Sequence, residues 1–77
     1  MSKSGKIKAL LALKDKKNMD YANILNLARP QALTTKYSRE SFTSNDLIKL
    51  AELTNTRLAF IDENSKPVVV FDKEDLE

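Results

Sequence analysis

The chain has 77 residues, 13 Lys and Arg against 11 Asp and Glu for a net charge of +2, and neither cysteine nor histidine. A chain this short forms one domain and buries only about three-fifths of the surface its unfolded form exposes, so stability must come from packing, completed where needed by a second subunit. The missing residue types remove disulfides, thiolate metal sites and the usual zinc ligand sets, and no metal or other cofactor is expected.

Ser4 is the expected cap of a first helix running from Gly5 or Lys6 to Lys16, because Ile7, Leu10, Leu11 and Lys14 follow helical spacing, the last through its aliphatic stem. Its other face is basic, and Lys3, Lys6, Lys8, Lys14, Lys16 and Lys17 concentrate positive charge early in the chain. Such a run suits a phosphate-facing surface and equally a solvated one. The longest apolar stretch, Ala9 to Leu13, is far too short for a bilayer, and the opening Met-Ser-Lys-Ser-Gly lacks a signal-peptide pattern; a cytoplasmic protein with no membrane partner is expected.

Tyr21, Ala22, Ile24 and Leu25 predict a short second helix from Asn18 to Asn26, since asparagine tolerates the left-handed conformation that ends many helices. Pro30 fits only a first helical turn, so a third helix starts there and turns Leu33 and Tyr37 inward, leaving Gln31, Thr34, Thr35, Lys36 and Ser38 outward. Thr43 with Asp46 forms a variant capping box before Leu47, Ile48, Leu50, Ala51 and Leu53; Phe42 stands at the staple position and Asn55 at the end.

Arg57 to Ile61 and Val68 to Phe71 read as the strands of an antiparallel hairpin around the polar turn Asp62 to Lys66, with Pro67 entering the second strand. An isolated hairpin is marginal in water, so Leu58, Phe60, Val68 and Val70 are expected to pack on the helices or on another chain. Ala59, Ile61, Val69 and Phe71 then form a second apolar face, suited to a homodimer interface. The expected architecture is mostly α: one four-helix helix-turn-helix domain over 1–77, with helices over 5–55, a C-terminal hairpin over 57–72 and a short acidic tail over 73–77.

Two short helices around a tight turn, the second presenting small polar and cationic side chains, meet the requirements of major-groove reading. Here the sequence resembles the phage-repressor-like (Cro/C1-type) helix-turn-helix family over Ile7 to Leu53. Asn18 to Ala28 is similar to the family's second helix and turn, with Ala22 at the small contact position. Arg29-Pro30-Gln31-Ala32-Leu33-Thr34-Thr35-Lys36 resembles its recognition helix, and Phe42 to Ala51 its next helix. The chain departs from the pattern at Asn18, where glutamine is frequent, at Asn26, where glycine is typical, and by one additional residue between Asn26 and Leu33.

The resemblance implies double-stranded DNA binding by a transcriptional regulator, a repressor by analogy, that works as a homodimer on paired half-sites. Its DNA-contacting residues are then Asn18, Arg29, Gln31, Thr34, Thr35, Lys36, Ser38 and Arg39, with Arg29 on either a phosphate or a base edge. The alternative is a protein-interaction module on the same fold, of the antitoxin or phage-accessory kind, which the modest charge favours. Catalysis has little to draw on. Asp20, Asp46, Asp62 and Asp72 show no acid-base or metal spacing, there is no glycine-rich phosphate loop, and no enzyme activity or small-molecule substrate is expected.

Overall fold

In the computed structural model, which describes residues 2–77, four helices are followed by a hairpin and a final helical turn. Helix α1 spans Lys3–Leu13, α2 Asn18–Ile24, α3 Pro30–Arg39 and α4 Ser44–Thr54; strands β1 (Leu58–Ile61) and β2 (Pro67–Phe71) form a two-stranded antiparallel sheet, and Lys73–Asp75 is a 3-10 turn. None of these helices is long and apolar enough to cross a membrane.

The expected first helix is displaced by nearly one turn. Ser2, not Ser4, caps α1 by accepting from the Gly5 N–H, and Ser4 is buried with its hydroxyl donating to the Tyr37 carbonyl at 2.6 Å. At the other end the chain leaves the helix at Lys14, which is exposed and contributes nothing to the core. Asp20 accepts from the Lys17 N–H at 2.8 Å and steadies the start of α2, which is shorter than expected because Leu25 already caps it. Pro30 opens α3, and the reciprocal Thr43–Asp46 box opens α4, as the sequence indicates.

One device ends all four helices. Asp15, Asn26, Glu40 and Asn55 have φ between 52° and 58°, and the next residue in each case donates to a carbonyl five back: Lys16 to Leu11, Leu27 to Ala22, Ser41 to Lys36 and Thr56 to Ala51. This left-handed wrap satisfies terminal carbonyls that would otherwise be orphaned. No glycine takes part, since Gly5, the only one, lies inside α1.

Ile7 and Leu11 from α1, Tyr21 and Ala22 from α2, Leu33 from α3 and Leu50 from α4 form the buried core, with Leu10, Ile24, Leu25, Leu27 and Leu53 packed around it. Burying each large apolar side chain contributes roughly 1.5–3 kcal/mol, so the loss of one contact here removes a substantial part of a small domain's stability. Phe42 lies between aromatic rings of two helices, 6.2 Å from Tyr21 and 5.4 Å from Tyr37 between centroids. It thereby ties the α3–α4 loop to the α2–α3 pair.

The hairpin's faces differ from the expected ones. Leu58 pairs with Phe71, Ala59 with Val70 and Phe60 with Val69, after which a bulge shifts the register so that Ile61 pairs with Pro67. Directly opposed residues share a face. Val69 and Phe71 therefore lie with Leu58 and Phe60, as the edge-on contact of Phe60 with Phe71 at 6.0 Å also requires, while Val70 lies with Ala59. The expected interface set of Ala59, Ile61, Val69 and Phe71 is thus divided between the two faces, because the strands pair even with odd positions. Leu58, Ala59 and Phe71 are half-buried, whereas Phe60, Ile61 and Val68 are 60–68% exposed. The acidic tail folds back on α4: Asn45 donates to the Glu77 carbonyl and accepts from the Glu77 N–H.

Candidate nucleic-acid interface

The connection between α2 and α3 runs from Leu25 to Arg29, and Pro30 fixes where α3 begins. Along α3 the residues divide by spacing. Leu33 and Tyr37 face the core, whereas Gln31, Thr34, Thr35 and Ser38, at i, i+3, i+4 and i+7, are all exposed and form one stripe. The Thr35 hydroxyl donates to the Gln31 carbonyl at 3.0 Å, so its methyl and its remaining acceptor capacity are what it offers outward. Arg29 caps one end of α3, its carbonyl accepting from the Ala32 N–H, and Arg39 closes the other; both are exposed and neither guanidinium has a hydrogen-bond or ion-pair partner among the described residues.

Lys36 does not belong to this stripe. Its ammonium lies 2.8 Å from the Asp46 carboxylate, the only ion pair among the described residues, with side-chain exposures of 23% and 13%. The expectation that it faces outward is therefore corrected. The signal was present in the sequence, because Lys36 stands three residues beyond Leu33 and helical spacing carries it towards the core side, where only a carboxylate could receive it.

Asp46, which the sequence presents as a helix cap, has a larger part. Its carboxylate accepts from the Thr43 N–H and from Lys36, and its carbonyl accepts from the buried Tyr21 hydroxyl at 2.8 Å. One residue at the start of α4 thus holds both α2 and α3. Burial, with the Asp46 charge and Tyr37 adding to it, raises the Tyr21 pKa far above the ordinary tyrosine value and keeps its hydroxyl a donor.

An open groove of about 640 Å³ runs beside the stripe, with Asn18, Thr34 and Ser38 along it and Met19, Leu27 and Leu33 contributing its apolar part. Asn18 accepts from the Tyr37 hydroxyl at 2.9 Å, which fixes the start of α2 against α3. Burial raises the Tyr37 pKa as well. Lys8 sits 4.7 Å over the Tyr37 ring and brings a cation from α1 to the groove. Of the expected contact residues, the structure gathers Asn18, Thr34 and Ser38 along the groove, places Gln31 and Thr35 on the same face of α3, leaves Arg29 and Arg39 at its ends and withdraws Lys36. Lys8, Ser4 and Asp46 were not recognisable as part of this region, since each acts through a partner 25 to 33 residues distant or across a helix pair.

The described residues contain no cluster of acidic side chains able to hold a metal ion. Compared with known proteins, the chain matches no family model, no curated protein and no solved structure.

Proposed function

We propose that this protein is a cytoplasmic, sequence-specific double-stranded DNA-binding regulator of the phage-repressor-like helix-turn-helix type, a repressor by occupancy, with α3 as its recognition helix. The observation that carries the reading is the exposed stripe of Gln31, Thr34, Thr35 and Ser38, ended by two unpartnered arginines. A major groove admits one helix, and amide and hydroxyl side chains are its base-reading groups, while arginines at the ends hold phosphates. The groove at the start of α2, with Asn18 and Lys8 beside it, suits the approach of the sugar-phosphate backbone.

The protein acts as a homodimer, because one domain reaches only a few base pairs and two-fold pairing doubles the site. Fluorescence anisotropy on random duplex DNA tests the binding. Affinity should fall steeply between low and physiological salt, and Arg29→Ala should weaken binding on all sequences and reduce the salt slope by about 1. Absence of binding even at low salt rejects the reading in favour of a protein-interaction module, whose apolar interface would be much less salt-sensitive.

A further inference from the structure

We infer that the groove along α2 and α3 is a binding site for a planar aromatic monocarboxylate, with Lys8 and Asn18 holding the carboxylate and Met19, Leu27 and Leu33 the ring system. Its volume of about 640 Å³ falls within the range of small-molecule pockets, roughly 300–1,000 Å³. Its chemistry is divided. A sugar-phosphate backbone engages the polar rim and leaves the apolar part unused, to which the buried Ala22 and Leu33 contribute. Met19 stands beside them with 67% of its surface exposed. An unbranched thioether at such a place adapts to the edge of an aromatic ring and gains from the contact.

The charge of the occupant follows from the lining. Lys8 is the one ionised group among the described residues that line the groove, and no carboxylate among them stands against it. Its ammonium lies 4.7 Å over the Tyr37 ring, and the hydroxyl of that same ring donates to Asn18 Oδ1 at 2.9 Å. A cation and an amide thus converge on one side chain. The Asn18 NH2 has no acceptor among the described residues and is free to donate to an anion that Lys8 attracts. A cationic ligand would be repelled by Lys8, and a neutral one would leave the ammonium unused. A rigid ring is favoured over an acyl chain because fewer rotors are ordered on binding. Thr34 and Ser38 line the groove and also belong to the exposed stripe of α3, so an occupant obstructs whatever approaches that stripe, as an effector does.

Titration of naphthoate into the isotope-labelled full chain, with no DNA present, tests the site independently of the DNA-binding reading. Naphthoate should shift the backbone amide resonances of Met19, Leu27 and Thr34 saturably, with a Kd of about 1 mM at the affinity per atom usual for ligands of this size. Uncharged naphthamide should bind wild type about 3- to 5-fold more weakly. Lys8→Met, at an exposed position outside the core, should bring naphthoate down to the naphthamide affinity. Decanoate, with the same charge on a flexible chain, should bind more weakly than naphthoate. No saturation at about 10 mM, or shifts centred on the hairpin around Phe60, overturns the inference. So does equal affinity of wild type for naphthoate and naphthamide, naphthoate binding untouched by Lys8→Met, or tighter binding of decanoate.

Discussion

Tyr21 is the residue on which most of the helical packing converges: it is fully buried, donates to the Asp46 carbonyl and stacks on Phe42. Its folded pKa is raised above the ordinary value of 10.0, so the stability it confers is complete below that pH and is lost as pH rises beyond it. Urea unfolding should give a stability that is flat around neutrality and declines at alkaline pH, with Tyr37 adding to the decline. Tyr21→Phe removes the hydroxyl bond to the Asp46 carbonyl and should cost about 0.5–1.5 kcal/mol at neutral pH, yet its alkaline decline should be the shallower of the two. Equal slopes for both proteins would remove Tyr21 as the cause. At this scale some positions were legible and others not. Pro30, Thr43 and the two asparagines that end α2 and α4 act locally, within the few residues that a sequence pattern spans. Ser4 misled because its hydroxyl answers a carbonyl 33 residues away rather than its own helix.

Between elements, the decisive connection is the one from α3 to α4 through Lys36 and Asp46. Exposures of 23% and 13% place the pair between a surface ion pair, worth little, and a buried one, whose disruption is expensive. Lys36→Met should therefore destabilise the fold by about 1–2 kcal/mol. Asp46→Ala also removes the carboxylate arm of the capping box and should cost about 2–4 kcal/mol. A double-mutant cycle with Lys36→Met and Asp46→Asn isolates the ion pair, and a coupling energy near zero would show that α3 is held by packing alone. Under the proposed function, Lys36→Met distinguishes two ways of losing DNA binding: through the brace, accompanied by lower stability, or through a direct contact, at unchanged stability. The hairpin was less legible than the helices for a related reason. Its strands were recognisable from their β-branched and aromatic residues, but its faces depend on which positions oppose each other, and a one-residue shift exchanges them. The bulge beside Phe60 and Ile61 has no local sequence signal.

For the whole molecule, the division of apolar surface is uneven. Four helices enclose a core around Leu11, Tyr21 and Leu33, while the hairpin leaves Phe60, Ile61, Val68 and Val69 between 49% and 68% exposed in a sheet of only two strands. Scattered apolar residues on a surface need no explanation, but the opposed pair Phe60 and Val69 exposes apolar surface on one face of the hairpin, and Ile61 and Val68 expose more beside it, as a surface covered by a partner would. A two-fold partner would satisfy this, because an isologous contact places the same surface on both sides, and under the proposed function it would bring two copies of α3 to one DNA molecule. Sedimentation at tens of micromolar should therefore show a dimer. The variant with Phe60→Lys and Ile61→Lys should sediment as a monomer with little change in its unfolding midpoint as a monomer, since neither side chain contributes to the core. On a palindromic site that variant should bind more weakly than wild type, while on an isolated half-site the two should match, because only the avidity of paired domains is lost. A wild-type monomer would reject the dimer and leave the hairpin patch for a different protein; a dimer indifferent to both lysines would place the interface on the helices instead.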